Sequence, residues 1–179
     1  MKSLLVVGAE SAAGREVCLR LAEEGHKYAY QNVHHITHQC TRIALANNSS
    51  LGESLNSLSK ELMDRGATAE ILEYDIGSEE KIRDLVGALS SQSDTLDALV
   101  IMLEQPFRGD ILELDDPTAV IESVMKVNYY TPVYFTHAAL SLLRKSRGRV
   151  ILLSSFHEEG QDATDSLYYA ARGAVIGTC

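Results

Sequence analysis

Short apolar runs and helical stripes alternate along the chain. Ser3–Ala9 (SLLVVGA) is a continuous apolar run ending beside glycine, which predicts a parallel strand buried on both faces. Ser11 then stands as an N-cap, opening a helix through Ala22 with Val17 and Leu21 on one face. Arg42–Ala46 reads as a second strand. Leu51, Leu55, Leu58 and Leu62 draw a helical stripe that Gly66 ends. Ala69–Tyr74 is a third strand, and Ser78 with Glu79 and Glu80 starts a helix that turns Ile82, Leu85, Val86 and Leu89 inward. Ala98–Leu103 is a fourth strand. Asp116-Pro117, an N-cap followed by proline, begins a helix expected to run to Leu143. Arg149–Leu153 is a fifth strand, and Leu167–Cys179 begins a last helix.

Strands that alternate with helices require right-handed βαβ crossovers. The expected fold is therefore α/β: a Rossmann-like, doubly wound parallel sheet in three α/β/α layers, one domain over residues 1–179. One stretch breaks the rhythm. Between Gly25 and Thr41 lies HKYAYQNVHHITHQC, where this architecture ordinarily spends a few residues, so 26–40 is expected to be an inserted surface loop.

Composition narrows the function. The 179 residues are 45% hydrophobic and 23% charged, enough apolar material for one core. A net charge of −9 repels phosphate backbones and anionic lipid, so neither nucleic acid nor a membrane surface is expected as partner. Cys18, Cys40 and Cys179 form no CxxC pair or disulfide pattern, which suits a reducing, cytoplasmic setting. The apolar run at the start is too short for a signal peptide, and no stretch approaches a membrane span.

Chemistry starts at the turn Gly8-Ala9-Glu10-Ser11-Ala12-Ala13-Gly14, between a strand and a helix. Glycine at the strand end permits a tight turn. Small residues such as Ser11, Ala13 and Gly14 let backbone N–H groups approach a pyrophosphate, whose charge the helix dipole favours. Taken alone, the turn could equally be a tight connection without a ligand. A histidine cluster, His34, His35 and His38 with Cys40, has i,i+4 spacing, but His35 stands where a zinc hydrolase needs glutamate. No metal is expected. Ser155 and His157 lie too close in sequence on a strand end to make a nucleophile and its base.

With Gly8 and Gly14, Asp75-Ile76, Asn128, Gly148–Ser155 and Tyr168–Arg172 at these intervals, the chain resembles the short-chain dehydrogenase/reductase family over nearly its whole length, the 26–40 stretch aside. The resemblance implies a dinucleotide at the turn, where Ala12 replaces the family's middle glycine. It implies that Asp75 and Ile76 meet the adenine. The second strand ends in Asn47 rather than a carboxylate, which points to NADP, with NAD as the alternative. On the fourth strand, Ile101-Met102-Leu103-Glu104 replaces the family's Asn-Asn-Ala-Gly, so Leu103 is expected against the cofactor ribose, where it and Glu104 would crowd the site unless that carboxylate turns outward.

For catalysis the resemblance implies that Ser155 orients the substrate oxygen, Tyr168 donates the proton, and Asn128 holds a relay water. Arg172 takes the place of the family lysine, four residues after the tyrosine and on the same helix face. A free phenol ionises near pH 10, so a tyrosine acid needs such a cation. The expected reaction is hydride transfer, NADP(H)-dependent, to or from a small-molecule carbonyl or secondary alcohol. The alternative is a catalytically impaired nucleotide-binding module, or one that forms a homodimer or homotetramer through the 116–143 helix. Relative to the family pattern the chain is truncated at its C-terminal end, so the sheet is expected to be incomplete and bare at that edge.

Overall fold

The computed structural model describes residues 2–31, 42–48, 52–75, 77–154 and 163–178. Five strands, β1 (Ser3–Val7), β2 (Arg42–Asn48), β3 (Thr68–Tyr74), β4 (Ala98–Ile101) and β5 (Arg149–Leu152), form one sheet in the order β3-β2-β1-β4-β5. Every pairing is parallel, with Val7 opposite Ala46 on one side and Ile101 on the other. The order reverses direction at β1 and β4. In open parallel sheets the crevice beyond such a switch point is where ligands bind.

Alternation along β1 builds the layers. Leu4 and Val6 face one way, against α1 (Ala12–Gln31) and α2 (Gly52–Asp64), packing with Cys18, Leu19, Leu55, Leu58 and Leu62. Leu5 and Val7 face the other way, against α3 (Glu79–Gln92) and α5 (Thr131–Ser146), where Ile82, Leu89, Phe135 and Ala139 complete the larger core. This is the expected three-layer α/β/α arrangement. The outer strand β5 is exposed, with Ile151 at 51% and Val150 at 36%.

Two elements differ from the reading of the sequence. The first helix does not stop at Ala22: α1 continues to Gln31, so the opening residues of the expected 26–40 loop are helical. Gly25 costs a helix only about 1 kcal/mol relative to alanine, too little to end one by itself. The rest of that stretch, with His34, His35, His38 and Cys40, lies outside the described residues.

The long helix opened by Asp116 is also not uniform. The Asp116 side chain accepts from Ala119 N at 3.0 Å, as an N-cap should, and α4 spans Pro117–Met125. A π-helical turn, Lys126–Tyr130, then leads into α5. Pro132 has no N–H to return to the Asn128 carbonyl, and an α-helix carried through it would clash there. One extra residue in the turn absorbs the conflict. Thr131 secures it: its N–H and its Oγ1 both donate to the Lys126 carbonyl, and Oγ1 accepts from Gly77 N at 2.8 Å.

Phe135 anchors the larger core. It is fully buried and meets Tyr74 edge to face at 5.0 Å between ring centroids. Phe135→Ala is expected to lower unfolding stability by about 3–5 kcal/mol, read from urea denaturation, because the cavity cannot collapse against a parallel sheet.

Candidate active site

The glycine turn is held shut by its own backbone. Gly8 has φ +86°, and a Cβ there would lie 2.7 Å from the Met102 carbonyl carbon and 2.8 Å from Leu103 N. Only glycine lets the end of β1 lie so close to the end of β4. A side chain at Gly14 would run into the Gly8 carbonyl. Ser11 ties the loop, donating from Oγ to the Gly8 carbonyl at 2.9 Å and accepting from Gly14 N at 3.0 Å. Ala12 and Ala13 are exposed, so the methyl that replaces the expected glycine at Ala12 does not obstruct the turn. Their amides, in the first turn of α1, take no backbone partner among the described residues. Two outward amides at the positive end of a twenty-residue helix fit a pyrophosphate.

Glu10 gives this turn a charge of its own. It is partly buried, with Oε2 enclosed and unpartnered among the described residues. Burial raises its carboxyl above the ordinary glutamate range, only partly opposed by a hydrogen bond to its own backbone. The Tyr74 hydroxyl is likewise buried without a partner, and burial together with the Glu10 charge pushes it well above the usual phenol range. Nothing in the sequence marks this pair, because Glu10 and Tyr74 meet only when β1 and β3 reach the same edge of the sheet. Asp75 follows Tyr74 on that edge and is exposed. Ile76 and the Asn47 side chain lie outside the described residues. Cys18, behind the turn, is fully enclosed, and burial pushes its thiol up to about 12, so it offers no nucleophile.

At the other side of the crevice, α6 (Ser166–Ile176) carries Tyr168 and Arg172, both buried. The Tyr168 hydroxyl donates to Glu104 Oε1 at 2.6 Å. Arg172 is only 1% exposed, and its terminal nitrogens bond backbone. Nη1 donates to the Leu103 carbonyl at 2.9 Å and Nη2 to the Leu153 carbonyl, so the guanidinium straps the ends of β4 and β5 together. Its Nε is buried without a partner among the described residues. Each terminal nitrogen thus holds a backbone carbonyl, where its position would imply a ribose.

Leu103 does not crowd the crevice as expected, because its side chain is buried in the larger core beside Ile101 and Val127. Glu104 is exposed, as an outward-turned carboxylate would be, and its Oε1 also accepts from the phenol. The two groups lie 64 residues apart, and only the packing of α6 over the end of β4 joins them.

Asn128 is fully buried in the π turn. Oδ1 accepts from Gln105 N at 3.1 Å, while Nδ2 donates to the carbonyls of Gln105, at 2.9 Å, and Val124, at 3.0 Å. It pins the segment after β4 to the helix, with its amide fully used. Ser154 Oγ donates to the Arg172 carbonyl at 3.3 Å, and Ser155 lies outside the described residues. No cluster of potential metal ligands is present among the described residues. No helix among them is long and apolar enough to cross a membrane.

The raised Glu10 carboxyl has a definite consequence for stability. Its folded form holds a proton more tightly than the unfolded chain does, so its contribution is full at pH below the ordinary glutamate range. That contribution is lost as pH rises through the ordinary range and then through the raised one. Glu10→Gln should therefore flatten the fall in Tm across this window and raise Tm at neutral pH, as scanning calorimetry at several pH values would show. An unchanged profile would remove burial as the cause.

The match with known proteins follows this geometry. A sequence model of the short chain dehydrogenase family matches residues 2–179. The 11-beta-hydroxysteroid dehydrogenase A of Sesamum indicum is 26% identical over 175 residues, covering 97% of this chain and 45% of that protein. The chain thus spans less than half the length of this curated relative. Among solved structures, an alcohol dehydrogenase of the archaeon Thermococcus sibiricus, complexed with 5-hydroxy-NADP, superposes with TM-score 0.82 at 17% identity, covering 99% of this chain and 68% of that one. A variant of actinorhodin polyketide ketoreductase with NADPH gives 0.80 at 25% identity, covering 99% and 62%. With a parallel five-stranded Rossmann-like sheet, a glycine turn against β4 and the family match along its whole length, the chain belongs to the short-chain dehydrogenase family.

Proposed function

We propose that the chain is the dinucleotide-binding part of an NADP(H)-dependent oxidoreductase that acts on a carbonyl or secondary alcohol. One observation carries this reading: Gly8 abuts Met102 and Leu103, and the Tyr168 hydroxyl bonds Glu104, the next residue along. The pyrophosphate turn and a phenolic acid thus meet at adjoining residues of one strand end.

The roles follow from position. Gly8, Ser11, Ala13 and Gly14, with the amide of Ala12, hold the pyrophosphate at the start of α1. Asp75 and Ile76 bound the adenine end. Asn47 closes β2 without a carboxylate, which favours a 2′-phosphate and hence NADP over NAD. When bound, the dinucleotide supplies or accepts the hydride. Tyr168 exchanges the proton with the substrate oxygen, which Ser155 orients, and Asn128 keeps the relay segment in place. Arg172 contributes positive charge beneath the site while it fastens Leu103 and Leu153. An acidic chain with scattered cysteines suits a cytoplasmic protein.

A second reading is a nucleotide-binding module without turnover. It is favoured by Arg172, whose terminal nitrogens each donate to a backbone carbonyl, and association through α4 and α5 would belong to it.

Titrating the protein into NADPH and following nicotinamide fluorescence should give a saturable change that Gly14→Val abolishes. No change at millimolar protein would end the binding claim. Where binding is seen, Tyr168→Phe should lower carbonyl reduction by about 100-fold or more. Binding without turnover on a panel of carbonyls and alcohols would select the second reading.

A further inference from the structure

Glu104 stands where the proton must move. The bond from the Tyr168 hydroxyl to Oε1, at 2.6 Å, has the length of a charge-assisted O–H···O⁻ contact. The phenol has one proton, and here it points at the carboxylate. The cation one turn along α6, Arg172, has its terminal nitrogens on the Leu103 and Leu153 carbonyls.

We propose, resting on the oxidoreductase reading, that Glu104 is the proton partner of Tyr168. It is a positioning residue that takes the phenol's proton when a secondary alcohol is oxidised and returns it when a carbonyl is reduced. In the oxidative direction the alcohol O–H bond breaks and a new Tyr168 O–H bond forms. The original Tyr168 O–H bond breaks as Glu104 Oε1 gains that proton. The carbinol carbon loses its hydride to an oxidised nicotinamide dinucleotide, and exposed Glu104 releases the proton to water. Reduction runs the same steps backward and requires Glu104 to be protonated first. The ionised pair therefore favours dehydrogenation.

The charged and titratable groups of the elements around this pair are Arg172 and Tyr169 on α6 and the Arg108–Asp165 ion pair at its start. Among the described residues, Asp110 after β4, Asp116 capping α4, Glu122 on α4, Lys126, Tyr129 and Tyr130 in the π turn, Arg149 on β5 and Glu10 in the glycine turn are further groups of these elements. Glu104 is the carboxylate among all these that accepts from the Tyr168 hydroxyl.

The test is a pH titration of the protein with ¹³C at tyrosine Cζ, read by NMR without dinucleotide, with Tyr168→Phe to assign the signal. The Tyr168 signal should move in the acid range as Glu104 takes up its proton. Glu104→Gln should lose that inflection and ionise the phenol at lower pH, while Glu104→Asp should keep the inflection. A wild-type Tyr168 signal flat through the acid range would overturn the proposal, and that reading needs no variant at Glu104 to fold. An unchanged alkaline midpoint in Glu104→Gln would overturn it equally. Because no dinucleotide is present, failure to bind NADPH would count against the oxidoreductase reading and leave this result readable.

Discussion

The close approach of the β1–α1 turn to the end of β4 governs the rest of the site. At Gly8 the two backbones lie so near that no side chain fits between them. That contact aligns the start of α1, with its outward amides, beside the residues that leave β4. It also sets where Leu103 and Glu104 emerge, and so decides what α6 meets when it packs over the strand end. A larger residue at Gly8 would push β1 away from β4 and separate the two halves of the crevice.

Two departures from the family pattern become intelligible together in this frame. Leucine at 103 is accommodated because its side chain sinks into the core, while its carbonyl remains to accept Arg172. Arginine at 172 presents two separate terminal nitrogens, each bonding one carbonyl, and so ties β4 to β5. A guanidinium buried this deeply must be hydrogen-bonded, since an unpaired buried charge would cost several kcal/mol. With the arginine so engaged, the hydroxyl of Tyr168 bonds a carboxylate. The polarity around the phenol therefore differs from that of a tyrosine–lysine pair.

The π turn does a related service. Pro132 forbids a regular α-helix through Asn128, and the extra residue brings the Asn128 amide inward to bind Gln105 and Val124. The segment after β4 is thereby fastened at Gln105, two residues beyond the Leu103 carbonyl that Arg172 holds. The strand end is thus held by two side chains, Asn128 and Arg172.

The periodicity of apolar residues sufficed for the fold. Runs such as Ser3–Val7 and Ala98–Ile101, separated by amphipathic helices, admit a buried parallel sheet because each face must be covered and crossovers have one hand. The glycine turn and the N-cap at Asp116 were equally legible, since each follows from local backbone chemistry. The extent of α1 was not, because glycine at 25 is too weak a breaker to be decisive. The arrangement of the site was decided only in three dimensions. Glu104 and Tyr168, Arg172 and Leu103, and Glu10 and Tyr74 are each separated by more than sixty residues, and hydrogen bonding and burial between them arise when strand ends converge. Sequence placed Tyr168 and Arg172 one helical turn apart and invited the view that they act on each other. Tertiary packing turned the arginine's terminal nitrogens to the backbone and brought a carboxylate to the phenol, because direction within a hydrogen bond depends on what surrounds a side chain rather than on its spacing.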